Sequence, residues 1–171
     1  MVKKVLYIYG YGSNENSETR TNLQKVLGKS YQVDSIYYNQ LQPNEAIEYL
    51  SNVVENGCYD CAIGSSLGGF YVMKLWNADV KKIVINPCML PSVELPKIGC
   101  KKDIAARFKK FETYQRDDKK LYGLFGAHDE LINFREMFIN KASYNIITFN
   151  AGHRPTLKEL DRISEILKNL I

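Results

Sequence analysis

Ile63-Gly64-Ser65-Ser66-Leu67-Gly68-Gly69 decides the reading of this chain. The stretch is G-x-S-x-G with Ser66 at its centre. A short apolar, strand-like run, residues 60–64, precedes it, and a helix-like run, residues 67–76, follows it. A serine between a strand and a helix stands on a sharp turn. There its hydroxyl is exposed and the first amides of the helix point at the reacting centre. The bare pattern is weak evidence, since Ser66 could merely cap the helix, and Ser65 could do so equally well. What strengthens it is the rest of a catalytic set further along the chain.

Outward from this turn, strand and helix patterns alternate. Residues 4–9 read as a strand, 19–27 as a helix closed by Gly28, and 31–37 as a weakly alternating strand. Ile47, Leu50, Val53 and Val54 recur at helical spacing in 45–55, with Gly57 as a stop signal. Residues 82–85 form another apolar strand, ended by Asn86-Pro87. The rhythm breaks over 88–119, which holds Pro91, Pro96 and a charged, helix-like piece around 103–111. It resumes with strand 121–125, helix 134–140, strand 145–149 and an amphipathic helix 157–170 carrying Leu157, Leu160, Ile163, Leu167 and Leu170 on one stripe. Such alternation predicts an α/β fold, a compact and mostly parallel sheet with helices on both faces. No repeat or low-complexity linker divides the chain, so one domain over residues 1–171 is expected, with 88–119 as a cap-like insertion.

Composition narrows the classes. The chain has 171 residues, 45% hydrophobic and 25% charged, as ordinary globular domains do. A net charge of +4, with lysines scattered in pairs, predicts solvated faces and no nucleic-acid partner. The apolar run after Lys3-Lys4, residues 5–9, ends at Gly10 and is too short for a signal peptide. No stretch has the apolar length of a membrane span, so a cytoplasmic protein without a membrane partner is expected. Cys58-Tyr59-Asp60-Cys61 lies at a helix end and a strand start, the opposite context from a redox C-x-x-C. With only two histidines a zinc site lacks ligands. Cys58, Cys61, Cys88 and Cys100 are therefore expected to be free, buried or half-buried thiols, and no metal or organic cofactor is implied.

A serine hydroxyl needs a base within hydrogen-bond reach. His153, in Asn150-Ala151-Gly152-His153-Arg154 between the last strand and the last helix, is the expected base. His128 adjoins Asp129 in Gly126-Ala127-His128-Asp129-Glu130, and adjacent side chains seldom face each other, so His128 reads as a surface loop residue. Asp129, nearer the strand end than Glu130, is the expected orienting acid. In a parallel sheet these turns and Gly10-Tyr11-Gly12-Ser13-Asn14 share the rim beyond the carboxyl ends of the strands. The expected oxyanion donors are the amides of Leu67 and Tyr11, with Gly12 as the alternative to Tyr11. Glu15 stands where a third dinucleotide-binding glycine would be, which argues against a nucleotide loop.

With its nucleophile, acid and histidine in the order Ser66, Asp129, His153, the chain resembles the α/β-hydrolase superfamily. More narrowly it resembles the small YqiA-like esterases (UPF0227). The resemblance is carried by Tyr9-Gly10-Tyr11-Gly12-Ser13, Gly64-Ser65-Ser66-Leu67-Gly68-Gly69, Asn86-Pro87, the 126–130 turn and Gly152-His153. Tyr9 stands where that family usually has His. The resemblance implies a serine esterase acting on a small carboxylic ester or thioester. The same residues would also serve an acyltransferase or amidase, and a non-catalytic interaction module could be built on this scaffold. Substrate identity and oligomeric state are not encoded in any motif here.

Overall fold

The computed structural model describes residues 2–116 and 118–171; position 117, inside the expected cap segment, lies outside the described residues. Six strands form one sheet: β1 (Lys3–Ile8), β2 (Tyr31–Asp34), β3 (Cys61–Ser65), β4 (Lys81–Ile85), β5 (Leu121–Gly126) and β6 (Ile146–Phe149). Their order is β2-β1-β3-β4-β5-β6 and every pairing is parallel. Val5, Leu6 and Ile8 of β1, Ala62 and Ile63 of β3, and Ile83, Val84 and Ile85 of β4 are all buried. Central parallel strands covered on both faces read as such continuous apolar runs.

Helices α1 (Glu18–Leu27), α2 (Pro43–Gly57), α3 (Leu67–Val72), α6 (Arg135–Lys141), α7 (Leu157–Asp161) and α8 (Ser164–Leu170) connect or follow the strands. Their ends carry the expected chemistry. The Ser17 hydroxyl accepts from the Arg20 amide at the start of α1, and Thr156 with Glu159 closes a capping box at α7. Pro43 occupies the first turn of α2, where no amide is needed, and Cys58 ends that helix in the left-handed region at φ 53°.

The segment between β4 and β5 is more ordered than its prolines announce. It folds as α4 (Pro91–Lys97), α5 (Lys102–Ala105) and a 3₁₀ turn (Ala106–Phe111). Pro91 sits at the start of α4, which tolerates a missing amide. Two helical expectations shorten. The 67–76 run stops at Val72, after which Lys74 and Leu75 donate to Tyr71 and Val72 in tighter turns. The 157–170 run divides at Arg162–Ile163, where the Ile163 amide bonds Leu160. All four cysteines are free; Cys58 is exposed and the other three are buried.

From β1 the chain moves outward to β2, then returns past β1 to lay down β3. The turns after β1 and β3 therefore diverge at the carboxyl edge, and the crevice between them is where open parallel sheets bind ligands.

Candidate active site

Ser66 follows β3 directly and holds φ 52°, ψ −119°, a conformation that side chains other than glycine rarely adopt. Its amide donates to Ile85 O at 3.0 Å and its carbonyl accepts from the Cys88 amide at 2.9 Å, so the turn is fastened to the end of β4. Gly68 allows the bend. A Cβ there would lie 1.9 Å from Ile8 O, because α3 starts against the end of β1. The loop after β1 also abuts the turn, with the Cβ position of Gly10 3.1 Å from Ser66 Cβ. The Ser65 hydroxyl shares a 2.6 Å hydrogen bond with Tyr7.

Asp129 and His153 meet across the rim. His153 Nδ1 lies 2.8 Å from Asp129 Oδ2, and both side chains are 5% exposed. The other carboxylate oxygen accepts the amides of Leu131 and Ile132, each at 2.9 Å. Burial works to raise the carboxyl's pKa, but the bonds from His153 and the two amides outweigh it and hold Asp129 below its ordinary range. An ionised carboxylate only accepts. In the neutral imidazole this pairing places the proton on Nδ1 and leaves the lone pair on Nε2. Glu130, the competing acid, instead accepts the His153 backbone amide at 3.2 Å. His128 is exposed, and its amide bonds Ala151 O.

One residue that holds this arrangement together was read from the sequence only as a strand end. Asn86, at φ 46°, donates its side-chain amide to the carbonyls of Gly152 and His153, both at 3.0 Å, and accepts the Gly126 amide at 2.7 Å. It thus ties the end of β4 to the turns bearing Asp129 and His153. Asn86-Pro87 was the only signal, and an asparagine tolerates a positive φ better than most residues.

Ser66, His153, Leu67 and Tyr11 line one cavity of about 330 Å³. Gly12 lines it too, but its amide donates to Gln40 Oε1 at 3.1 Å. That bond occupies the Gly12 amide in this structure, so Tyr11 is the candidate carried forward in this loop. Gln40 grips the loop three times, since its Nε2 also donates to Gly10 O at 2.8 Å and to Ser13 O at 3.2 Å. Tyr9 packs its ring 4.9 Å from that of Tyr38, whose hydroxyl donates to Tyr9 O at 2.5 Å. It braces the loop from below.

A family model described as an uncharacterised protein family, UPF0227, matches residues 4–154. The chain belongs to UPF0227. No curated protein matches it. Among solved structures, Est1E from Butyrivibrio proteoclasticus is similar at TM-score 0.70 and 16% identity, covering 98% of this chain and 86% of that one. A type II thioesterase, BorB of the borrelidin biosynthetic cluster, is similar at 0.67 and 12%, covering 99% and 93%. A candidate hydrolase of the alpha/beta superfamily from Xanthomonas campestris pv. campestris is similar at 0.63 and 15%, covering 99% and 95%. At such identities the likeness establishes the fold, which is that of the α/β hydrolases.

In this UPF0227 chain, then, a strained serine and a histidine line one cavity, and a buried carboxylate pairs with that histidine from outside the cavity lining. Among the described residues no three His, Cys, Asp or Glu side chains are grouped to hold a metal. No described helix is long and apolar enough to cross a membrane.

Proposed function

We propose that this UPF0227 protein is a serine hydrolase that cleaves a small carboxylic ester or thioester through an acyl-enzyme on Ser66. The observation that carries the reading is the pairing of Asp129 with Nδ1 of His153, which lines the same cavity as the strained Ser66. The described esterase and thioesterase neighbours are consistent with it.

His153 Nε2 removes the Ser66 proton as Oγ attacks the substrate carbonyl. The amides of Leu67 and Tyr11 hold the oxyanion; the loss of one such donor slows the reaction by about 10²–10³. Asp129 keeps the imidazole in the required tautomer and stabilises the imidazolium. The imidazolium then protonates the leaving alkoxide or thiolate. Water, activated by the same nitrogen, attacks the acyl-enzyme and releases the acid. From the segment between β4 and β5, α4 and the residue after it border the cavity through Glu94, Leu95, Lys97 and Ile98.

Labelling with a fluorophosphonate tests the reading. Wild type should be labelled, and Ser66→Ala and His153→Ala should not. A folded wild type that resists the probe would refute the hydrolase and favour a binding role on this scaffold. If labelling succeeds, product analysis with an added alcohol separates hydrolysis from acyl transfer.

A further inference from the structure

The cavity has a polar end that acyl transfer at Ser66 does not require. Asn22, on α1, is 5% exposed and lines the cavity. Its side-chain amide makes no hydrogen bond among the described residues. It is not sealed off either, since no fully buried side-chain nitrogen or oxygen lacks a partner. A buried amide that stays open only toward a cavity is satisfied by whatever occupies that cavity. Thr19 lies one helical turn before Asn22 on the same face of α1 and lines the cavity as well.

Tyr7 completes this end. It is 2% exposed, and its hydroxyl bonds Ser65 Oγ at 2.6 Å. In a Tyr–Ser hydroxyl pair one proton makes the shared bond and the other remains to be donated. None of these groups carries a charge, and together they offer both donors and acceptors. That chemistry matches a neutral oxygen function. An alkyl chain at this end would leave the amide unpaired.

We infer that Asn22, with Tyr7, Ser65 and Thr19, binds a hydrogen-bonding oxygen of the substrate, so that the preferred acyl group is short and carries a hydroxyl or oxo group. The inference rests on the hydrolase reading of the same cavity. A site built to pair such an oxygen discriminates strongly against the analogue lacking it.

The test compares p-nitrophenyl 3-hydroxybutyrate with p-nitrophenyl 3-methylbutyrate, which differ only by hydroxyl for methyl. Wild type should favour the hydroxy ester in kcat/KM. Asn22→Leu, nearly the same size, should reduce that preference by about tenfold or more, and Asn22→Ser should retain part of it. Comparing ratios between variants cancels the intrinsic reactivity of the esters. A preference unchanged in a folded Asn22→Leu protein would overturn the assignment. Fluorophosphonate labelling of wild type, run alongside, reports separately on the hydrolase reading. Were wild type unlabelled, titration with the free 3-hydroxy and 3-methyl acids would still decide the matter through the Asn22 side-chain amide NMR signal. A shift with the hydroxy acid alone supports the site; equal shifts, or none, refute it.

Discussion

Asn86 shows how much of this site depends on a residue that touches no reacting atom. Its three hydrogen bonds hold the turns of Asp129 and His153 against β4. Asn86→Gly removes them while leaving the positive φ unstrained. Such displacement of catalytic groups should slow fluorophosphonate labelling by about 10–100-fold. The lost bonds should lower stability by about 2–3 kcal/mol. Asn86→Ala should be about 1 kcal/mol worse still, because alanine resists φ 46°. Urea unfolding of both variants checks the ordering; labelling of Asn86→Gly at the wild-type rate would mean that the tether is dispensable. Asp129→Asn probes the pair itself. It should keep the fold yet slow turnover by a factor on the order of 10⁴, because an amide no longer fixes the histidine tautomer. His153 was legible in the sequence because the chain has only two histidines, and Asp129 because its turn follows a strand. Asn86 and Gln40 were not, since their work lies in bonds to backbone 28 to 67 positions away, which no local pattern records.

At the scale of the element, the turn from β3 into α3 is where backbone geometry becomes chemistry. α3 is only six residues long, so packing holds it in place more than intrinsic helix stability does. The contact that matters is between Gly68 and the end of β1, where an added methyl would meet Ile8 O at 1.9 Å. Neither group is a movable side-chain tip, so α3 itself must shift. Gly68→Ala should therefore cost about 3 kcal/mol or more, at the upper end of overpacking effects, and also suppress labelling of Ser66. A urea midpoint within error of wild type would show that the elbow yields more than its packing implies. The strands were readable because buried parallel strands are nearly continuous apolar runs. The helix ends were less so. The 67–76 pattern stays apolar through Leu75 although the α-helix ends at Val72, because residues beyond the helix remain buried as turns. The prolines at 91 and 96 hid α4 for the reverse reason: Pro91 falls at its first position, where no amide is needed, but Pro96 lies inside its last turn, where a proline ordinarily signals a break.

Across the whole molecule, the segment between β4 and β5 is fastened down by groups far from Ser66. Tyr114 donates to Met89 O, the Ser92 amide bonds Glu112, and Lys74, just beyond α3, donates its ammonium to Thr113 O. Lys74 is buried, and burial pushes its pKa down to about 7, against a smaller opposing pull from Glu112. The rings of Tyr114, Phe70 and Trp76, with centroids 3.8, 4.9 and 5.6 Å away, face the charge and temper that loss. A lysine lowered on folding has an uncommon consequence. Between about pH 7 and the ordinary lysine range near 10.4, the unfolded chain holds a proton here that the folded chain has released, so stability rises with pH over that interval. The buried thiols of Cys61 and Cys88, raised by burial, act in the opposite sense above about pH 8.5, so the wild-type profile alone would blend the two. The comparison with Lys74→Met removes the thiols, which both proteins share. Its stability relative to wild type should be greatest at pH 6–7 and decline steadily toward pH 10, as read from urea midpoints at each pH. A difference that stays flat would mean that the three rings offset the burial in full, and that the cap is held by a permanent cation.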